Sequence, residues 1–598
     1  MSYPIKVTVQ MKGGPELADF SSLTLSQFMF THHVFALDFS FEALGKALGL
    51  KPDTVHLRAH EQLSGKALTI SWTGNVPGGP SDTFKFSGVI TETSIHTASD
   101  LTNYYHISGH SPTYLLEDGV QNRSFIKQSV QDIVGKVLTP YSSNAFQRTL
   151  QARRADKLPY VVQYQESNYQ FINRLAARQG EWLYYDGLTL RLGLRQGAAT
   201  RFQSDSNQTF ALTTRLQPGK TEGAHYSYRT HEPLHATASN PAGGHAFSQF
   251  ALAQSDALFT QSHRLQGDTR LDDQTQLKQA LDMSAAKRAG TLVTLEGKGE
   301  AFGLIPGALL DVFDAAGSGY GQFRTLSVRH EVDGAGNYTN HFEALPAALD
   351  SPPPAALGMP TALSELAEVI DLEDSRRLGR VRVRFQWSVA RPADAESNWL
   401  RVSTPYSGDG KGQLFTPEKG SQVLVGYENG LPEFPVVLGN LFHPKNPQQA
   451  KYTNPSNHLK GLQTAGGNKF VLDDTKDKQT ILLSNSNNKG TAIEVAFQGD
   501  GSISIKSNGP ISLTAGGNIT LTATKDIILT AENVTINARQ KLAKTAKVVE
   551  MTGTESVDIT GKTTALNAGE TMTIAATSSL DVTGGHTASI SSGKTRIH

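Results

Sequence analysis

Apolar residues in the last part of the chain come in pairs that recur every seven to eight positions. Ile503 and Ile505 form one pair, two positions apart, and Ile511 and Leu513 form the next, eight residues later. A spacing of two places both side chains on one face of a strand. A recurrence at about eight residues, with Gly, Ser, Thr, Asn and Asp in between, predicts short strands separated by turns. The pattern therefore predicts a β-solenoid or β-helix.

One chain is not expected to close this repeat into a core by itself. Two buried aliphatic side chains stabilise an eight-residue unit by roughly 3–6 kcal/mol, whereas ordering its backbone costs roughly 8–16 kcal/mol. Single-chain solenoids have coils of about 20 residues or more, so eight residues supply about one side of a coil. We interpret residues 470–598 as one strand of an intertwined trimeric β-helix, a β-prism. The predicted trimer-core residues are Ile503, Ile505, Ile511, Leu513, Ile519, Leu521, Ile527, Leu529, Val557, Ile559, Leu580 and Val582.

Residues 1–350 show strand patterns mixed with a few helices, and we expect one mainly β domain. Three helices have N-terminal caps and are predicted to begin after Ser129, Ser167 and Asp273. The second is predicted to stop at Gly180 and the third at Gly290. Strand-like alternation is found at 5–9, 68–72, 84–90 and 188–194.

A Pro-rich segment, residues 351–369, is predicted to be a linker. Residues 370–443 carry about five short strands separated by Gly and Pro turns, which suits a small barrel of the OB type. Residues 444–469 are interpreted as a polar connector into the repeat, residues 470–598.

The composition excludes several classes of protein. The chain has 55 basic and 55 acidic residues, so no global field attracts it to nucleic acid or to an anionic membrane surface. Cysteine is absent, which excludes disulfides and thiolate metal sites. The first residues lack the pattern of a signal peptide, and no run reaches the ~20 apolar residues of a membrane helix. We therefore expect a chain that is made and folded in the cytoplasm.

Several stretches together resemble one known family. The most recognisable is 160–187, with the core Gln163–Ser167 (QYQES), and the OB-like block ends in Gly430–Pro435 (GLPEFP), where the family often has GDPDRP. Other matching stretches are 329–346, 379–387, 399–405 and 420–439. In these stretches the chain resembles VgrG, the spike protein of bacterial type VI secretion systems, and its phage tail-hub relatives.

This resemblance implies tail-hub-like β-barrel domains, an OB barrel and a trimeric β-helix. It also implies a non-enzymatic homotrimeric spike that punctures membranes at the tip of a contractile injection machine. The implied partners are a hexameric tube of Hcp type at the hub end, baseplate proteins, and a PAAR-type tip protein or effectors at the other end. Such a spike is assembled in the bacterial cytoplasm and delivered outside the cell or into target cells, with only transient membrane contact. The implied tip-docking residues are Ile590, Lys594, Arg596, Ile597 and His598.

Candidate catalytic and binding groups have simpler interpretations. A row of arginines on one strand, Arg380, Arg382 and Arg384, is a possible nucleic-acid surface on an OB barrel, but no aromatic residue shares its face and we favour a solvated or interface face. An acidic patch just before that strand, which includes Asp374, is interpreted as a solvated linker. We expect no cofactor and no nucleic-acid partner.

Histidines give no strong metal signal. His32 and His33 are adjacent and therefore poor co-ligands, and His330 is interpreted as a packing or hydrogen-bonding residue. In a trimer, His586 and His598 would each form a ring of three imidazoles. We predict no metal site, and His598 is the one tip position considered, with a solvated terminus as the plainer interpretation.

Two other functions remain as alternatives. A phage-type tail hub or tailspike would degrade cell wall or polysaccharide, but only about 25 residues separate His443 from Phe470, too few for a lysozyme domain. A trimeric adhesin-like fibre would share the repeat, but not the hub and barrel motifs. The chain ends directly after the last repeat, so we expect no appended effector domain.

Overall fold

The computed structural model describes residues 5–75, 81–97, 99, 102–195, 197–239, 241, 244–266, 271, 273–301, 303–355 and 357–594. The chain divides into two compact units. The first comprises residues 1–461 and 471–479, and the second comprises residues 462–470 and 480–598. Strands dominate the described chain, which confirms the prediction of a mainly β, multidomain protein.

The N-terminal part, residues 5–350, contains twenty described strands and six helices. The strands are β1 (Lys6–Met11), β2 (Ser22–Phe28), β3 (Val34–Ser40), β4 (Ala67–Asn75), β5 (Ser81–Thr97), β6 (Asn103–His110), β7 (Gln121–Gln128), β8 (Gln147–Leu150), β9 (Leu158–Glu166), β10 (Leu183–Tyr185), β11 (Thr189–Leu192), β12 (Thr200–Gln203), β13 (Thr209–Thr214), β14 (Thr221–Ser227), β15 (Glu232–Thr237), β16 (His263–Gln266), β17 (Val293–Gly299), β18 (Leu309–Phe313), β19 (Gly319–Asp333) and β20 (Tyr338–Pro346). The helices are α1 (Phe41–Leu48), α2 (Val55–Leu63), α3 (Val130–Leu138), α4 (Asn168–Arg178), α5 (Ala246–Leu258) and α6 (Gln274–Ala289).

One large sheet organises this part. Its strand order is β1-β4-β5-β6-β3-β2-β19-β20-β17-β13, and β18 pairs with both β19 and β12. The strands alternate buried apolar and exposed polar positions, as in β2, where Leu23 and Leu25 are fully buried. The long strand β19 pairs with β2 on one side and β20 on the other, so it joins segments that are about 300 residues apart in the chain.

Local signals in the sequence place three helices correctly. Ser129 caps α3 and Ser167 caps α4, each in a complete capping box, and Asp273 accepts a hydrogen bond from the backbone N–H of Gln276 at the start of α6. The sequence prediction does not include α1, α2 and α5. The first two are short, and α5 buries the small residues Ser248, Ala251 and Ser255 in place of an aliphatic stripe.

The barrel, residues 365–442, is an OB-type fold, as predicted. Its strands are β21 (Glu365–Asp371), β22 (Arg382–Phe385), β23 (Ser407–Gly408), β24 (Lys411–Gly412), β25 (Gln422–Tyr427) and β26 (Pro435–Leu441). The main sheet has the order β22-β21-β25-β26 around a core that includes Val381, Val383 and Val425. The first strand begins at Glu365, inside the segment that the sequence analysis treats as a linker.

The chain continues through α7 (Gln448–Tyr452), β27 (Leu459–Gln463) and β28 (Asn468–Asp473). In the second unit, β29 (Thr480–Asn485), β30 (Asn488–Ala496) and β31 (Ser502–Lys506) form consecutive antiparallel pairs. The described residues from 507 to 594 contain no strand or helix, and each one from 508 onward is exposed. The intertwined β-helix therefore stays a prediction.

Removal of the cap of α4 tests the local basis of the fold. Ser167→Ala deletes the hydroxyl that accepts from the backbone N–H of Gln170, and we expect a loss of about 1 kcal/mol in the free energy of unfolding. Urea unfolding followed by tryptophan fluorescence measures this loss. Ser64→Ala, at an exposed serine whose hydroxyl has no recorded partner in the described chain, is the control and should change stability by less than about 0.5 kcal/mol. Equal effects of the two substitutions would contradict the role of the cap.

Candidate functional site: the apolar repeat and the junction with the barrel

The predicted trimer-core residues form an exposed apolar stripe in the single chain. Ile503 and Ile505 lie on β31, and the other ten predicted residues follow in the segment 507–594. Their exposure ranges from 49% at Val557 to 74% at Ile503. Soluble monomers rarely expose contiguous apolar surface beyond a few hundred Å². The single chain leaves these side chains exposed, and the trimer that would bury them stays a prediction.

The stripe begins earlier in the chain than the sequence pattern indicates. In the antiparallel register of β29 to β31, Ile481 lies opposite Val495, which lies opposite Ile503. Likewise Leu483 lies opposite Ile493, which lies opposite Ile505. Directly opposite residues share a face of a sheet. Six aliphatic side chains thus cover one face, and Leu483, Ile493 and both isoleucines of β31 are exposed.

The predicted tip-docking residues are described only in part. Ile590 is 76% exposed and Lys594 is also exposed. Arg596, Ile597 and His598 lie outside the described residues. Docking at this end stays a prediction, as does the imidazole ring at His598.

A buried ion network joins the N-terminal part to the barrel. The guanidinium of Arg174, on α4, donates to both carboxylate oxygens of Glu166, with N–O distances of 2.6 and 2.8 Å. Its Nη1 lies 3.2 Å from Oε1 of Glu433 in the barrel, and Nη1 of Arg178 lies 3.3 Å from the same oxygen. The side chains of Arg174, Glu166 and Glu433 are each at least nine-tenths buried. A buried charge is costly unless it is paired, and here the charges of Arg174 and Glu433 are paired with each other only when the N-terminal part and the barrel are in contact. The network therefore favours this contact.

Glu433 comes from the barrel turn that departs from the family motif. The turn reads GLPEFP at Gly430–Pro435, and its glutamate supplies the carboxylate of the junction. The bonded partner, Arg174, lies 259 positions away in the chain. No local sequence signal reveals a pairing at such a separation.

Aromatic side chains form a second contact across the same junction. Tyr160, Tyr164 and Ala362 make a small buried cluster with Trp387 and Tyr427 packed against it. Burial, with a hydrogen bond to a carboxylate of the barrel, raises the pKa of Tyr164 to about 12. That phenol therefore stays protonated and neutral across the physiological pH range.

Glu365, on β21, accepts hydrogen bonds from two aromatic side chains of this cluster. Its two oxygens accept from Nε1 of Trp387 at 2.6 Å and from the hydroxyl of Tyr427 at 3.2 Å. Elsewhere in the junction, the hydroxyl of Ser124 donates to the backbone carbonyl of Glu396 at 2.6 Å, and the carbonyl of Asp394 lies 3.1 Å from the same hydroxyl. The barrel is thus held at three separate places.

The arginine row of the barrel is not a solvated face. Arg380 and Asp374 are both buried and form a bidentate pair at 2.5 and 2.9 Å, so the solvated interpretation is wrong for these two residues. Arg382 and Arg384 both bind the carboxylate of Glu396. Because each of the three arginines is paired with a carboxylate, the row does not offer free cations to nucleic acid, although Arg382 and Arg384 are partly exposed.

The central histidines form a buried hydrogen-bonded chain. Nδ1 of His33 lies 3.1 Å from Nε2 of Gln27, and Oε1 of Gln27 lies 3.1 Å from Nε2 of His330. The hydroxyl of Tyr338 is 2.7 Å from the other ring nitrogen of His330. Burial lowers the pKa of both imidazoles to about 3. His330 therefore has the packing and hydrogen-bonding role that the sequence predicts.

His32 and His33 do not meet at one ligand. His32 stacks on Tyr169 with ring centroids 3.7 Å apart, and its Nε2 lies 3.2 Å from Glu117. Within the described residues, no three His, Asp or Glu side chains are placed to hold a metal ion.

Two family models match the chain in the order that the fold suggests. A model described as phage tail baseplate hub (GPD) matches residues 47–336, and a model described as type VI secretion system/phage-baseplate injector OB domain matches residues 365–442. The spike protein VgrG1a of Pseudomonas aeruginosa is 24% identical over 497 residues, which is 74% of this chain and 73% of that protein. The chain belongs to the VgrG family.

Other relatives share shorter parts with this VgrG chain. VgrG4b of Pseudomonas aeruginosa is 33% identical over 162 residues, which is 24% of this chain and 19% of that protein. The actin cross-linking toxin VgrG1 of Vibrio cholerae is 25% identical over 60% of this chain, and the aligned part is 36% of the toxin. This chain thus spans less than half of these two relatives.

A solved VgrG assembly has the same fold. A chain in the structure of the Francisella PdpA–VgrG complex superimposes with a TM-score of 0.56 at 8% identity, covering 84% of this chain and 88% of that one. None of the described helices combines the length and apolar character needed to cross a bilayer.

The ion network at the junction predicts a large cost for neutralising Glu433. Glu433→Gln removes the carboxylate that binds both Arg174 and Arg178, and we expect a loss of about 3 kcal/mol in the free energy of unfolding. Glu331→Gln removes one partner of an exposed pair with Arg329 and should cost less than about 1 kcal/mol. Urea unfolding of both variants measures the difference. A loss at Glu433 no larger than that at Glu331 would exclude a stabilising role for the network.

The buried histidines predict a loss of stability in mild acid. The pKa of each is lower in the folded protein than the ordinary value of about 6.5, so the unfolded chain binds more protons below that pH. Stability should be constant above about pH 6.5 and fall as the pH decreases toward 3, by up to roughly 1.4 kcal/mol per pH unit for each histidine. Urea unfolding between about pH 7.5 and 5.5 tests this, a range in which ordinary carboxylates stay almost fully ionised. His33→Gln should reduce the slope, and the exposed control His56→Gln should not; a flat profile in the native protein would show the expectation to be wrong.

Proposed function

We propose that the protein is a non-enzymatic homotrimeric spike that punctures membranes at the tip of a contractile injection machine. The observation that carries the proposal is the apolar stripe, which runs from the face of β29–β31 to Ile590 and is exposed in the single chain. Three copies with their stripes inward would bury it on one axis. The hub and OB models that match the chain belong to phage-baseplate and type VI secretion components, which supports this assembly.

Puncture requires that the folded parts move as one body. Contraction of the machine would supply the work, and the spike would supply stiffness and a narrow profile. The junction supports this role, because a buried ion network, an aromatic cluster and the hydroxyl of Ser124 all join the hub to the barrel. Three separate contacts resist rotation of one part against the other better than a single flexible linker does.

The proposed partners follow from the same placement. The hub would dock on a hexameric tube of Hcp type and on baseplate proteins, and the C-terminal end would carry a PAAR-type tip protein or effectors. A solved assembly of a Francisella VgrG with PdpA supports the view that VgrG proteins act in complexes. We propose that assembly takes place in the bacterial cytoplasm and that contraction delivers the spike outside the cell.

A pair of substitutions in one repeat unit tests the trimer. Ile519→Asp places a charge in the proposed core, whereas Thr520→Asp places the same charge on the opposite face of the strand. We expect the native chain and Thr520→Asp to have the mass of three protomers by light scattering or native mass spectrometry, and Ile519→Asp to lose that mass because an unpaired buried carboxylate is costly. A native chain that is a stable monomer would refute the proposal. Equal masses for the two variants would exclude the assigned core face.

A further inference from the structure

Arg324 is a buried cation without an acidic partner. It lies on β19 with 7% of its surface exposed. Its Nη1 donates to the carbonyl of Gly307 at 3.0 Å, and its Nε has no hydrogen-bond partner. The ring of Trp182, with its centroid 5.9 Å from Cζ, is the nearest recorded source of electrostatic compensation.

The other two buried arginines in the described chain are paired. Arg174 binds Glu166 and Glu433, and Arg380 binds Asp374. Burial of a cation is costly unless a carboxylate offsets the lost hydration. Among the described residues no carboxylate lies within ion-pair distance of Arg324. A group from another molecule would therefore complete this site.

Arg324 lines an open groove of about 580 Å³ in the hub. Phe247, Tyr320 and Leu309 supply apolar walls, and His245 and Gln322 supply polar groups. Gly321 lies under His245 with φ +99, and a Cβ there would be 2.6 Å from the imidazole Nε2. The close approach of ring and backbone therefore depends on this glycine.

His245 offers a second unused group in the same groove. Only 8% of the residue is exposed, and its Nε2 lies 2.9 Å from the carbonyl of Tyr320. A carbonyl accepts, so Nε2 carries the proton and Nδ1 is left as an acceptor. That Nδ1 is buried and has no partner. The groove therefore combines an unpaired cation with aromatic walls, and a buried imidazole lies beside it.

We propose that this groove binds an acidic polypeptide segment of a partner protein. A carboxylate of the segment would pair with Arg324, and an apolar side chain would pack on Phe247 and Tyr320. This site lies in the hub and goes beyond the proposed spike function, which assigns cargo to the C-terminal end.

Two matched probes test the proposal on the full-length protein. N-acetyl-L-phenylalanine carries a carboxylate, an N–H and an aromatic ring, and N-acetyl-L-phenylalaninamide lacks only the charge. We expect the acid to bind at least about tenfold more tightly than the amide by isothermal titration calorimetry, as one charge-assisted contact accounts for. Equal binding of the two probes would overturn the proposal. No binding of the acid would overturn it as well, and this is also the result expected if another copy of the chain fills the groove.

Variants assign the effect to residues. Arg324→Met should abolish the preference for the acid while the thermal midpoint stays equal or rises, because an uncompensated charge is removed. Arg201→Met, at an exposed arginine over the Phe313 ring, is the control and should bind the acid like the native protein. Retention of the acid preference in Arg324→Met would refute the site.

Discussion

The first unit depends on one buried guanidinium, that of Arg174. Its N–H groups donate to Glu166, Glu433 and the carbonyl of Val162, so it binds its own domain and the barrel at the same time. Removal of either carboxylate leaves a buried charge without a partner, which is costly in free energy. This cost, more than the attraction within the ion pairs, favours the junction between the two domains. The aromatic cluster around Glu365 then covers the rest of the junction.

The second unit differs from the first, because its apolar side chains are not buried in a core of its own. Hub and barrel each bury their aliphatic residues in cores of their own. The repeat spreads its aliphatic residues along an extended chain, with none deeply buried. In the trimer that we propose, these exposed side chains would be buried by the other two copies. The first unit is stabilised by contacts within one chain, whereas the repeat would be stabilised by contacts between chains.

Local signals were predictable from the sequence and distant pairings were not. Ser129, Ser167 and Asp273 mark helix starts because the capping partner lies three residues away. The strict alternation of Val381, Val383 and Phe385 correctly indicated a barrel strand. The same alternation led to a wrong interpretation of Arg380. The pattern indicates the face of the strand on which a side chain lies, but it does not reveal the carboxylate of Asp374 that pairs with Arg380 on that face. The strand order of the hub sheet and the Arg174–Glu433 contact depend on tertiary packing. The predicted repeat, residues 470–598, includes β29 to β31, but the predicted trimer-core residues begin only at Ile503.

The exposed stripe has a consequence for biogenesis. The contacts of the hub and barrel lie within one chain, whereas the isoleucine and leucine side chains of the repeat are exposed in the single chain. If the proposed trimer buries them, they stay exposed in a newly made chain until it meets two other copies. Such segments are prone to off-pathway aggregation. Maturation would then be a second- or higher-order process whose yield rises with local chain concentration, and translation of several chains from one message would favour it.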